Sequence, residues 1–159
     1  MGWYMTSDLD RFLAAAGDYL KSRAAENALL LSAAQTALDA HASRDANAAH
    51  ASLDAHAARA GQAAAETATD PGPLFGWWDP PDGSGPRGAF LHDPSVPLLI
   101  AGRAPETAAA LAAALAKQGR FVFGVDGPAS AADAFAAAWS QRAGLAIRVH
   151  GRSRVYRLT

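Results

Sequence analysis

Alanine is the constraint that weighs most on this chain: 42 of its 159 residues are Ala. Half of the residues count as hydrophobic. Without Ala, only roughly a quarter of the chain is large and apolar. A core must therefore be assembled from a limited set of Leu, Val, Ile, Phe, Trp and Tyr. That set suffices for a single globular domain of about 110–130 residues, with the remainder as low-complexity sequence.

The balance of charge excludes several classes. The formal net charge is −1, whereas a general nucleic-acid binder needs many cationic contacts to phosphate. The chain has no cysteine, hence no disulfide framework, thiolate metal site or cysteine nucleophile. Asp8, Asp10 and Arg11 precede any long apolar run, so the start does not read as a secretory signal. Apolar-looking runs are Ala broken by charge, and none approaches the roughly 18 residues of a membrane span. The expectation is a cytoplasmic protein with no membrane partner.

Local patterns predict the elements. Gly2-Trp3-Tyr4-Met5-Thr6 reads as a first strand. Ser7 reads as an N-cap with Asp10 three residues on. Leu9, Phe12, Leu13, Ala16, Tyr19 and Leu20 follow at helical spacing, which predicts a helix over 8–22. A second helix carries Leu29, Leu30, Leu31, Ala34 and Leu38. In 40–70, Leu53 is the only large aliphatic residue. There Leu38-Asp39-Ala40-His41-Ala42 is echoed by Leu53-Asp54-Ala55-His56-Ala57, and two copies do not make a solenoid. This stretch reads as an extension of the second helix followed by a mobile Ala-rich insertion, closed by Asp70-Pro71-Gly72-Pro73.

Beyond it the period changes. Strands are predicted over 74–78 and 88–92, joined by a Pro/Gly turn, and over 96–101. Pro105 opens a helix through about Lys117, with Gly119 as its stop. A strand over 121–125 follows. Ser130 and Asp133 form a second capping pattern for a helix carrying Phe135 and Trp139 and ended by Gly144. Residues 145–149 and 153–158 read as extended. The predicted order is β-α-α-β-β-β-α-β-α-β, an α/β domain over 1–159 with a mixed central sheet and helices on both faces.

That order resembles the GNAT superfamily of N-acetyltransferases. Several segments resemble the N-terminal half of actinobacterial proteins with two GNAT-like halves. They are Thr6-Ser7-Asp8-Leu9-Asp10-Arg11-Phe12-Leu13-Ala14-Ala15-Ala16-Gly17, Ala25-Glu26-Asn27-Ala28-Leu29-Leu30-Leu31, Phe75-Gly76-Trp77-Trp78, Val125-Asp126-Gly127-Pro128 and Arg154-Val155-Tyr156-Arg157-Leu158. The resemblance implies acetyl transfer from acetyl-CoA to an amine, with a second GNAT-like domain or protein as partner. In that family the cofactor pyrophosphate sits on backbone N–H groups at a helix entry, in a Gln/Arg-x-x-Gly-x-Gly/Ala turn. The equivalent stretch here is Arg103-Ala104-Pro105-Glu106-Thr107-Ala108. Arg103, Ala104, Thr107 and Ala108 are thus the implied cofactor-binding residues. Glu106 replaces the middle glycine, and Pro105 removes a donor. Like charges about 4 Å apart repel by about 4 kcal/mol at an effective dielectric near 20. The turn therefore reads as degenerate, and this half as scaffold rather than catalyst, or as an interaction partner using an exposed sheet edge.

No catalytic acid or base is assigned. Amine acylation needs a base and often a Tyr acid. Tyr4, Tyr19 and Tyr156 are the only tyrosines. Tyr19 lies on an apolar helix face, and Tyr156 lies past the helix that would supply the acid. His92, at a strand end, is the nearest candidate base. A lone histidine there is usually a surface or hydrogen-bonded group.

Other clusters have plain structural readings. His41, His50 and His56, with Asp39, Asp45 and Asp54, lack the i, i+4 pairing used for zinc, and no metal is expected. Gly124-Val125-Asp126-Gly127-Pro128 has neither the lysine nor the spacing of a phosphate loop. Arg148, Arg152, Arg154 and Arg157 read as a charged sheet edge that discourages aggregation. Trp77 and Trp78 point to opposite faces of a sheet covered on both sides.

Overall fold

The alternation of large side chains along the strands builds an open five-stranded sheet with helices on both faces. The computed structural model describes residues 2–54 and 72–152, leaving aside the side chains of 48–54. In chain order the elements are β1 (Gly2–Thr6), α1 (Leu9–Ser22), α2 (Ala28–Asp54), β2 (Leu74–Asp79), β3 (Gly88–His92), β4 (Leu98–Ala101), α3 (Pro105–Lys117), β5 (Val125–Asp126) and α4 (Ala129–Ala143). The strands lie in sequence order. The first three pairings are antiparallel, and β5 joins β4 in parallel. The antiparallel pairs need only short turns, except where α1 and α2 separate β1 from β2. The parallel pair needs the α3 crossover. The protein is therefore α/β with a mixed sheet.

Two cores result. Phe75, Trp77, Ala89, Leu91 and Ala101 pack against Leu9, Phe12, Ala16 and Leu20 of α1 and Leu30 and Ala34 of α2. On the opposite face, Leu74, Phe90, Leu98 and Ile100 pack against Ala108, Leu111, Ala112 and Leu115 of α3 and Ala131 and Phe135 of α4. Trp77 thus faces the first pair of helices. Trp78 turns the other way and meets Trp3 edge to face, ring centres 5.7 Å apart.

Several boundaries differ from expectation for identifiable reasons. Asp8, not Ser7, caps α1: its Oδ1 accepts from the Arg11 N–H at 3.0 Å. The carboxylate also suits the positive end of the helix. Ser130 does not cap α4 either. The N-cap position is Pro128, and the Ser130 hydroxyl donates to the Arg103 carbonyl at 3.1 Å. β4 starts at Leu98 rather than 96.

The strand expected over 121–125 shrinks to Val125–Asp126. Its first half is held by side chains instead of a ladder. The His92 ring bonds the Phe121 carbonyl at 2.9 Å, and Arg120 donates to the Gly72 carbonyl at 2.7 Å. Residues 145–150 enter no ladder. The strand expected over 153–158 lies outside the described residues, as do 55–71 of the Ala-rich insertion.

α2 leaves the core after Leu38, and 39–47 are all exposed. It continues as helix because Ala carries the highest helical propensity. Local bonds add to this, such as Gln35 to Asp39 at 3.1 Å and the Ser43 hydroxyl to the Asp39 carbonyl at 2.8 Å. No helix among the described residues is long and apolar enough to cross a membrane.

Gly76 is where the sheet admits no side chain. A Cβ there would fall on the Phe90 ring and the Tyr4 carbonyl oxygen, and backbone cannot yield as a flexible side chain does. We predict that Gly76→Ala costs about 1–3 kcal/mol, read as a lowered urea midpoint with unchanged slope.

Candidate functional site

The chain leaves β4 through Gly102, and Tyr19, Glu26, Arg103 and Ser130 meet at that exit. Gly102 has φ +118°, and a Cβ on it would stand 3.0 Å from the Arg87 carbonyl oxygen and 3.2 Å from Gly88 Cα. Only glycine fits both the dihedral and the space. The Arg87 carbonyl accepts from the Tyr19 hydroxyl at 3.0 Å, which ties α1 across to β3. Burial pushes the Tyr19 phenol above its ordinary range, against the nearby guanidinium of Arg23. The phenol is thus held protonated with its proton already directed at a carbonyl.

Arg103 follows. Its Nη2 lies 2.5 Å from Glu26 Oε1, a pair made across 77 positions of sequence. Both side chains are substantially exposed. Glu26 reaches it from the turn between α1 and α2. That corner is fixed by Asn27, which is only 4 % exposed and whose Nδ2 donates to the Leu20 carbonyl at 3.2 Å. Nothing in the local sequence signalled Glu26 as a partner for Arg103. The pairing follows from the corner's placement beside the end of β4.

The four implied cofactor-binding residues are adjacent in sequence but do not share a surface. Arg103 is exposed and Ala104 partly so. Thr107 is buried. Its hydroxyl donates to the Ala104 carbonyl at 2.8 Å, and its own carbonyl accepts from Trp3 Nε1 at 2.9 Å. Ala108 lies in the core beneath α3. The N–H groups of Thr107 and Ala108 both point at the Ala104 carbonyl, at 3.2 and 3.4 Å. Pro105 has none to give. Glu106 stands exposed in the first turn, where a carboxylate complements the helix dipole.

Gly127, in the second candidate loop, has a structural use. A Cβ there would lie 2.5 Å from the Ile100 carbonyl oxygen. Its smallness lets β5 end close beside β4.

His92 is 1 % exposed and sits apart from the β4 exit. Its Nε2 donates to the Phe121 carbonyl, which leaves Nδ1 as a buried acceptor with no partner. Burial lowers its affinity for a proton, helped by the Arg120 charge and opposed by that hydrogen bond and by Asp93. The group is a neutral strut, closed to any substrate.

Among the remaining candidates, His41 pairs with Asp45 at 3.2 Å on the exposed part of α2. The side chains of His50 and Asp54, and all of His56, Arg154, Tyr156 and Arg157, lie outside the described residues. No group of three or more metal-ligating side chains occurs among the described residues. Arg148 is exposed, and Arg152 lies 3.7 Å from Asp133.

A depressed His92 pKa gives a definite sign. The unfolded chain takes up a proton near the ordinary value of 6.5, and the native fold resists it. This contribution to stability is complete above about pH 6.5 and declines as pH falls, by up to about 1.4 kcal/mol per pH unit. Asp82 and Asp93, held low by bonds from Ser84 and Ser95, act only in the carboxylate range. Urea unfolding between pH 5 and 6.5 will show a slope in the parent chain that flattens in His92→Gln.

Comparison of the chain with protein-family models, with curated proteins and with solved structures finds no match.

Proposed function

We propose that this chain is a GNAT-type N-acetyltransferase domain that has lost its own cofactor turn and serves as the non-catalytic scaffold half beside a competent partner. Three features support the reading: the element order, the single parallel pair β4–β5, and a helix entering at the exit of β4. The scaffold role rests on one observation, the chemistry of that helix entry. A diphosphate there would meet the exposed carboxylate of Glu106 and an Arg103 already neutralised by Glu26. Of the donors such a turn offers, Pro105 lacks one, and those of Thr107 and Ala108 are directed at Ala104.

The transfer step itself asks for more than binding. The amine nitrogen bonds to the acetyl carbon as the thiolate leaves. A base must take the amine proton, and an acid often returns one to sulfur. Near the β4 exit, the Tyr19 proton is committed to a carbonyl, and His92 is enclosed elsewhere.

Titration calorimetry tests both parts. Acetyl-CoA at millimolar concentration will give no binding heat with the parent chain, and micromolar affinity would overturn the reading. The double variant Glu26→Gln, Glu106→Gly frees Arg103 and removes the opposing carboxylate. It is expected to gain measurable affinity for the cofactor. If it does not, the electrostatic account of the silent turn is wrong.

A further inference from the structure

Large apolar side chains are exposed at eight described positions, and six of them fall in two places. Val96, Phe121 and Phe123 flank the entry to β5. Leu145, Ile147 and Val149 follow α4. Single exposed apolar residues are ordinary, whereas a concentration of them marks a contact surface.

The two places are complementary in kind. β5 is an edge strand: β4 pairs with one side, and among the described residues nothing pairs with the other. Such an edge offers free N–H and C=O groups to an incoming strand. Residues 145–150 are a strand in pattern without a ladder. Leu145, Ile147 and Val149 alternate with Ala146, Arg148 and His150, the period of a half-buried strand.

Charge agrees with this. The run after α4 carries Arg148 and Arg152 and no acid, while β5 exposes Asp126. Within its own chain the run is tied to α4 at both ends. The Ser140 hydroxyl bonds the Leu145 carbonyl, and Arg152 lies 3.7 Å from Asp133. The chain thus carries both members of a strand pair and does not join them to each other.

We infer that two copies of this chain associate through these surfaces, residues 145–149 of each adding to the β5 edge of the other. The same two patches are used reciprocally, which closes a twofold dimer in which both β5 edges are occupied. This does not depend on the scaffold reading above: cofactor affinity and self-association are separate measurements.

Sedimentation equilibrium of the full chain at micromolar concentration is expected to give twice the 16.4 kDa chain mass. Phe123→Asp is expected to give a single-chain mass with unchanged circular dichroism, since that side chain is exposed. A monomeric parent, or a dimer that survives Phe123→Asp, would overturn the inference.

The absence of native cysteine makes a second test unambiguous. Chains carrying Phe123→Cys are mixed with chains carrying Ile147→Cys and treated with a short bis-maleimide. A covalent pair containing one of each supports the exchange. No covalent pair, or linkage only between like variants, refutes it.

Discussion

Burial of the central strands on both faces is the condition everything else here depends on. All five residues of β3 are buried. Phe90 fills one core while Ala89 and Leu91 fill the other. In an alanine-rich chain the strands must supply much of the bulk. The helices answer with small side chains, such as Ala16, Ala34, Ala108 and Ala112, that let them lie close to the sheet. Dispersion and apolar burial reward that approach only where contact is tight. This is why Gly76 and Gly127, which have no bulk at all, occupy points where backbones nearly touch.

The same arrangement explains what could be read in advance. Where a face is buried, the pattern carries the answer. The bounds of β3 and α3 agree with their periodicity, and the opposed sides of Trp77 and Trp78 follow from strand alternation. Where partners come from afar, local sequence is silent. Residues 121–123 have the composition of a strand, yet side-chain bonds from His92 and Arg120 hold that region in place of a ladder. Ser7 and Ser130 are good cap residues by type, but Asp8 caps the first helix, and Ser130 spends its hydroxyl on the Arg103 carbonyl. The Arg103–Glu26 pair was illegible for the same reason: the residues share a place in space and none in sequence.

At the β4 exit, ordinary folding needs account for nearly every polar group. Tyr19 joins α1 to Arg87, Thr107 closes the first turn of α3, and Ser130 ties α4 to the end of β4. A binding site keeps donors unspent until its ligand arrives. Here the hydroxyls of Tyr19, Thr107 and Ser130 are already spent inside the protein.

The overhang of α2 has its own consequence. From Asp39 to Asn47 its side chains are exposed, so a change of sequence there barely registers in the folding equilibrium. Selection for stability has little grip on such a spur. It is free to drift toward whatever residues sustain a helix most cheaply, and to lengthen or shorten without disturbing the sheet. A fluorescent or affinity tag grafted onto this arm would leave the folded body as it is.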